Sequence, residues 1–195
     1  MLAPDQLAAL RQPIRFSAEL RGHPLQFEST WGLFSPREID EGTRLLLKYV
    51  EVEQDADCLD LGCGYGPIGL TLAALAPQGR TRLVDKDFVA VDFAQRNAEL
   101  NGLKNTSIGL SNGFDQVPPE AAFDLIASNV PAKVGKELLA ILLHDAHQRL
   151  RPGGSIYLVT INGLREFIKR NLKEIFGSYD KVKQGAHYTV ARARR

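Results

Sequence analysis

Cysteine is scarce in this chain. Cys58 and Cys63 are the only two among 195 residues, five apart around one predicted strand end. That leaves no disulfide framework, and no C-x-x-C pair or Cys/His cluster stands ready to hold zinc. We expect free thiols, a reducing cytoplasm and no metal. Long apolar runs are also missing: no stretch of about 18 apolar residues occurs, so no membrane-spanning helix is expected. The first residues, Met1 to Gln6, lack a basic segment leading into an apolar one, so no signal peptide is expected. Internal repeats, low-complexity tracts and long linkers are absent as well. Nothing in the sequence specifies an oligomeric state.

What remains is the composition of a globular protein, with 44% hydrophobic and 24% charged residues. A chain this long can bury a real core as one domain, residues 1–195. The net charge is only +1, but it is unevenly spread. Residues 165–195 carry nine Arg or Lys against Glu166, Glu174 and Asp180, which places +6 there and −5 elsewhere. A basic C-terminal edge can meet RNA phosphates. It can equally be a solvated helix face ending in a frayed arginine tail.

Periodicity divides the chain further. Phe16 to Leu20 and Leu25 to Ser29 alternate on either side of Arg21-Gly22-His23-Pro24 and predict a hairpin. Ser35-Pro36-Arg37-Glu38 reads as a helix start, with Ser35 as N-cap, Pro36 at the first position and Glu38 closing a capping box. That helix should reach about Val50. Strands then alternate with helices: strand 57–61, helix 67–76, strand 81–85, helix 87–101, strand 106–110, strand 123–128, helix 134–150, strand 155–160, helix 164–176. The last two strands, about 179–183 and 186–192, are separated only by Gln184-Gly185 and must be antiparallel, because a parallel pair needs a long crossover. An α/β sheet with a terminal antiparallel hairpin follows. Residues 14–50 form its N-terminal hairpin and helix, and residues 51–195 form a cofactor-binding core.

The first strand runs into Asp60-Leu61-Gly62-Cys63-Gly64-Tyr65-Gly66-Pro67-Ile68 and then into an apolar helix. A strand, a glycine turn and a helix make a nucleotide-shaped site, where a ligand lies against backbone N–H groups. Gly64 to Gly69 fits the dinucleotide string G-x-G-x-x-G. Asp60 argues against a dinucleotide, because a carboxylate at the mouth of the turn repels a pyrophosphate. It suits a ligand with an ammonium and a sulfonium, S-adenosylmethionine (SAM). Asp85 closes the second strand, nineteen residues beyond Gly66, where a carboxylate can accept both ribose hydroxyls. It can also be the cap of the helix that follows.

Three further segments carry a family resemblance. Trp31-Gly32-Leu33-Phe34-Ser35-Pro36-Arg37-Glu38-Ile39-Asp40-Glu41-Gly42-Thr43 is similar to the G-V-F-S-x-x-x-x-D-x-G-T segment of the methyltransferase small domain. Ser111-Asn112-Gly113-Phe114 is similar to that family's loop after the third strand. Asp124 to Ala132 stands where its D-x-I-x-S-N-P-P-F belongs. With Leu150-Arg151-Pro152-Gly153-Gly154 and the order of elements, the chain resembles class I SAM-dependent methyltransferases over residues 14–195, nearest to bacterial rRNA guanine-N2 methyltransferases. The resemblance implies a Rossmann-like sheet of seven strands in the order 3-2-1-4-5-7-6, strand 7 antiparallel, with helices on both faces. It implies that Asp60, Gly62, Cys63, Gly64 and Gly66 hold the methionine end of SAM. Asp85, with Lys86 beside it, would take the ribose. Asn112, with Gly113, would meet the adenine edge unless it is only a turn residue.

By the same resemblance, Asn129, Val130 and Pro131 are the catalytic turn. An exocyclic base amine is a poor nucleophile because its lone pair is delocalised into the ring. The Asn129 side-chain oxygen and the Val130 carbonyl would accept its two hydrogens and aim the lone pair at the methyl group, while Pro131 stiffens the turn. The family's Asn-Pro-Pro-aromatic is here Asn129-Val130-Pro131-Ala132, so the base-stacking ring is lost. Trp31 and Phe34 would replace it unless they are core residues, and Lys133 would meet phosphate or a carboxylate. His144 and His147, three apart, have the spacing of a metal pair but no further ligands. The expected function is SAM-dependent N-methylation of an RNA base amine, in rRNA first. Methylation of a small molecule or protein, SAM binding without catalysis, and NAD-linked oxidoreduction remain as alternatives.

Overall fold

The computed structural model describes residues 3–131 and 134–195. A short helix α1 (Pro4–Leu10), which periodicity does not predict, precedes the hairpin of β1 (Ile14–Leu20) and β2 (His23–Ser29). The hairpin turn is tighter than expected. Arg21 and Gly22 alone make it, both with positive φ (54° and 81°), the geometry that matches strand twist. Phe16 pairs with Phe27 across the strands, and both rings pack against Tyr65 of the glycine turn.

The next helix starts later than its apparent capping box. Ser35 does not cap it: its φ is +47°, and its hydroxyl donates to the Glu38 carbonyl. The Ser29 hydroxyl donates to the Pro36 carbonyl, and the Tyr65 hydroxyl reaches the carbonyls of Ser35 and Glu38. Carbonyls held by side chains are lost to a helical ladder. Helix α2 (Glu41–Tyr49) begins instead behind Asp40, whose carboxylate accepts from the N–H groups of Gly42 and Thr43. It ends where Arg21, from the hairpin turn, donates to the carbonyls of Leu47 and Val50.

The remaining elements alternate as expected: β3 (Cys58–Leu61), α3 (Pro67–Leu75), β4 (Thr81–Asp85), α4 (Phe88–Leu100), β5 (Thr106–Leu110), β6 (Phe123–Asn129), α5 (Lys136–Arg149), β7 (Leu150–Ile161), α6 (Arg165–Phe176), β8 (Asp180–Gln184) and β9 (Tyr188–Arg194). Pro152-Gly153-Gly154, expected as a turn, lies within β7, opposite an irregular step between Phe123 and Leu125. A 3-10 turn, Asn162–Leu164, opens the path into α6. The sheet order is β5-β4-β3-β6-β7-β9-β8, and β9 runs antiparallel to both neighbours. Counted from β3, this is the expected 3-2-1-4-5-7-6.

Period-two alternation sorts the strand residues between two buried layers. Cys58, Leu83, Leu125, Ala127, Tyr157 and Val159 face the layer of the hairpin, α2, α3 and α4. Leu59, Val84, Ile126, Ile156 and Leu158 face α5 and α6. The outer edge of β2 is held by side chains rather than by a strand. Asn97 of α4 accepts from the Glu28 N–H and donates to the carbonyls of Glu28 and Tyr65. Asn101, one helical turn on, pairs in the same way with Gln26. Two amides at i and i+4 thus satisfy an edge that would otherwise recruit another strand.

Candidate functional site

The parallel strands β4, β3 and β6 end side by side, and the chain leaves β3 toward β4 on one side while β6 lies on the other. Ligand crevices form at the carboxyl ends of strands where the order switches in this way. Three of the predicted groups gather here: the glycine turn after β3, Asp85 at the end of β4 and Asn129 at the end of β6.

The glycine turn is built by positive φ at Gly62 (77°), Gly64 (55°) and Gly66 (99°). Around Gly62 and Gly64 an added Cβ would meet nothing, so backbone conformation demands glycine there and the space outside stays open. The backbone N–H groups do not point at a ligand as the sequence predicted. Those of Gly62 and Cys63 donate to the Val84 carbonyl, that of Gly64 to Asp85, and that of Gly66 to the Cys63 carbonyl. At the N-terminus of α3, Asp60 Oδ2 accepts from Gly69 N at 2.7 Å. A pyrophosphate needs such N–H donors, and the protein has spent those of Gly62, Cys63, Gly64, Gly66 and Gly69 on itself. A turn with most of its donors spent, above a buried carboxylate, suits a ligand that brings its own donors and positive charge.

Asp60 differs from its expected role in one respect. It is fully enclosed rather than displayed at the mouth of the turn, so it acts on a ligand through its field and not by an exposed contact. Its Oδ1 has no hydrogen-bond partner. Burial, reinforced by Asp85, pushes its carboxyl up to about 7. An orphaned carboxylate oxygen beneath the turn marks a place for positive charge, and it fits the ammonium-bearing end of SAM. Cys63 is buried with its thiol turned inward. Burial pushes both thiols up, Cys58 to about 12, so neither is a nucleophile at neutral pH.

Asp85 does not cap α4; Asp87 does. Asp85 bridges the site instead, accepting from Gly64 N at 2.8 Å and from Asp87 N at 3.0 Å. A carboxylate has about four lone-pair positions, so two remain for a pair of ribose hydroxyls. Lys86 is exposed beside it. Phe88 (69% exposed) opens α4, and Leu110 pairs with Asp85 at the end of β5, so apolar surface flanks the carboxylate. Neither residue belongs to a motif, although a large apolar residue just after a strand-ending acid is a visible signal in the sequence. Asn112 is exposed, with its amide donated to Asp115 at 3.1 Å and its backbone N–H to Gln116. Gly113 is required by its backbone, whose φ of 60° is left-handed.

Asn129 is half-buried, and its Nδ2 donates to both Asp40 oxygens and to Thr43 Oγ1. Val130 is buried and donates its N–H to the Val159 carbonyl, while Pro131 is exposed. Ala132 and Lys133 lie outside the described residues. Trp31 (43% exposed) and Phe34 (67% exposed) are surface aromatics rather than core residues. The Arg37 guanidinium sits 4.6 Å over the Trp31 ring. Their loop is tied to the glycine turn by Tyr65 and to Asn129 by Asp40. The contacts of Asp40, Thr43 and Tyr65 were missed from sequence, although Asp40 and Thr43 stand in the quoted motif. His147 packs edge-on against Phe176 and so has a packing role. Two grooves lie elsewhere, about 850 Å³ along the hairpin and Leu100 and about 540 Å³ at the opposite ends of β6 and β7. Neither is lined by Asp85 or Asn129, so the site is identified by convergent chemistry rather than by depth.

A glycine turn over a buried carboxylate, an acid on the next strand and a half-buried Asn at the switch point, on this sheet order, define a class I methyltransferase architecture. The chain belongs to the methyltransferase small domain family, whose profile matches residues 24–192. Over 183 residues it is 32% identical to the Bacillus subtilis protein YbxB, covering 92% of this chain and 90% of that protein. It is 37% identical over 155 residues to ribosomal RNA small subunit methyltransferase C of Pseudomonas putida, covering 77% of this chain and 46% of that enzyme. The solved structure of the T. thermophilus 16S rRNA N2 G1207 methyltransferase RsmC, in complex with AdoMet and guanosine, superposes with a TM-score of 0.85. It shares 30% identity and covers 94% of this chain and 50% of its own. The chain thus spans about half the length of the named rRNA methyltransferases it matches.

Proposed function

We propose that this chain is a SAM-dependent N-methyltransferase acting on an exocyclic base amine in RNA, with ribosomal RNA as the substrate. The convergence of the glycine turn, Asp85 and Asn129 on one crevice carries the reading, and the rRNA methyltransferases among its relatives supply the substrate class. Residues 1–195 act as one methyltransferase domain, a reading supported by the docking of the hairpin onto α4. A cytoplasmic location is supported by two unpaired, buried cysteines. Among the described residues no helix is long and apolar enough to cross a membrane.

Bound SAM would supply an electrophilic methyl group on a sulfonium. Asp60 lowers the energy of positive charge above the glycine turn, and Asp85 accepts the ribose hydroxyls. Phe88 and Leu110 give the base of the cofactor an apolar surface, with Asn112 and Gly113 in the neighbouring loop and Lys86 beside the ribose. On the substrate side, Asn129 Oδ1 and the Val130 carbonyl accept the two amine hydrogens, so the nitrogen turns its lone pair toward the methyl. The amine nitrogen held there would take the methyl as the sulfonium sulfur gives it up, and would then release one proton to water. No strong base is needed, because orientation by fixed dipoles lowers the barrier. Trp31 and Phe34 stack the flipped base in place of the family's missing aromatic, each worth about 1–3 kcal/mol. Pro131 borders the same turn, and Lys133 follows it in the sequence.

Labelled methyl transfer from SAM to fractionated ribosomal RNA, transfer RNA, protein and small molecules tests this, with Asn129→Ala as control. Label in ribosomal RNA that vanishes in the variant is the expected result. Label only in protein or small molecules would overturn the substrate class, and equal turnover by the variant would overturn the chemistry at Asn129.

A further inference from the structure

Asn129 can present its oxygen to an amine only if the amide cannot turn over. Rotation by half a turn swaps Oδ1 for Nδ2 with almost no change in shape, and an outward Nδ2 would repel the amine hydrogens. The structure blocks that rotation from behind. Asn129 Nδ2 lies 3.2 Å from each Asp40 oxygen and 3.0 Å from Thr43 Oγ1. A carboxylate has no proton to give, so it admits only the NH2 end of the amide. Asp40 is itself held in place, because its carboxylate accepts from the Gly42 and Thr43 N–H groups at the start of α2. The Tyr188 ring closes the other side, 3.0 Å from where a Cβ on Gly42 would stand.

We propose that Asp40 is a positioning residue for methyl transfer: it locks the Asn129 amide with Oδ1 outward. Thr43 is its second acceptor, buried at 4% exposure. This deepens the proposed function and rests on the role given there to Asn129. The helix cap of α2 and the polarity of the catalytic amide are thus set by one carboxylate, which links the loop of Trp31 and Phe34 to the reacting centre.

Asp40→Asn separates the two duties. Asn is as good an N-cap as Asp, and its oxygen can still accept from Gly42 and Thr43. Its new NH2 group opposes Asn129 Nδ2 and favours the flipped amide. We expect kcat to fall by about 100-fold or more, while SAM affinity, KM for RNA and melting temperature stay near wild type. Asp40→Ser keeps a cap without an opposing NH2 group and leaves Thr43 as acceptor, so its kcat should fall between the two. A readout without substrate is the Asn129 side-chain NH2 resonance pair, assigned by its loss in Asn129→Ala. It should be protected from solvent exchange in the wild type and unprotected in Asp40→Asn. Wild-type kcat, or unchanged protection, in Asp40→Asn beside an inactive Asn129→Ala overturns the positioning role alone. Full activity in Asn129→Ala overturns the proposed function and the positioning role with it.

Discussion

A carboxylate is most costly where neither water nor a donor reaches it, and Asp60 Oδ1 occupies such a place. Its unfolded carboxyl titrates near 4, its folded one near 7. Between those values the folded state holds a proton that the unfolded state has released. Stability therefore falls as pH rises through that window and is lowest above its upper end. Asp60→Asn removes the titration. The melting temperature of the variant minus that of the wild type should be larger at about pH 8 than at about pH 5; a difference constant with pH would show that Asp60 is ionised throughout. Asp85 is costly in another way, since it serves the turn and the ligand together. Asp85→Ala should weaken SAM binding by about 3–6 kcal/mol, the value of two hydrogen bonds to a charged acceptor. Calorimetric titration reads this directly, and an unchanged affinity would remove Asp85 from the ribose.

At the scale of elements, the hairpin matters because it holds up the cofactor turn. Asn97 carries β2 and the Tyr65 carbonyl on one side chain, and it is fully buried. Asn97→Ala leaves three backbone groups without partners and should cost about 2–4 kcal/mol. Asn101→Ala, at the exposed end of the same edge, should cost clearly less. Chemical denaturation of both variants checks the order. Gly69 tells a similar story in α3, where a Cβ would lie 2.3 Å from Leu83 Cγ and 3.0 Å from Asp60 Cβ. Helix α3 can approach the sheet, and Asp60 can reach its N-terminus, only because residue 69 has no side chain. The start of α2 was misread for a reason at this scale. Ser35-Pro36-Arg37-Glu38 has the chemistry of a capping box, but hydroxyls from Ser29 and Tyr65, distant in sequence, claim its carbonyls.

For the whole molecule, the basic C-terminal region is less free than its composition suggests. Arg192 pairs with Asp180 and Glu51, and Arg195 donates to the Gln148 and Leu150 carbonyls at the end of α5. The arginine tail is not frayed, because β9 and the Arg195 backbone continue the sheet. At about 100 times its dissociation constant, SAM should stabilise the protein by about 2.7 kcal/mol, or roughly 5–10 °C for a chain of this size. NAD should shift the melting temperature by nothing measurable; an equal shift would reverse the reading of the glycine turn. Much of this was legible in the residues themselves. Glycine spacing, strand and helix periods and turn chemistry are local properties, and they were enough for the succession of elements, the antiparallel terminal hairpin and the kind of ligand, while the sheet order and the place of Asn129 came through the resemblance to the methyltransferase small domain. The direction in which a backbone N–H is spent, the enclosure of Asp60 and the partner behind Asn129 were not. Those depend on groups that meet only when the chain closes, Val84 on Gly62 and Asp40 on Asn129 across 89 residues. Sequence by itself determined which elements form and which polar groups stand at their ends. Tertiary structure alone decided which of those groups are satisfied internally and which are left for a ligand, because a hydrogen bond is settled by distance in space and not along the chain.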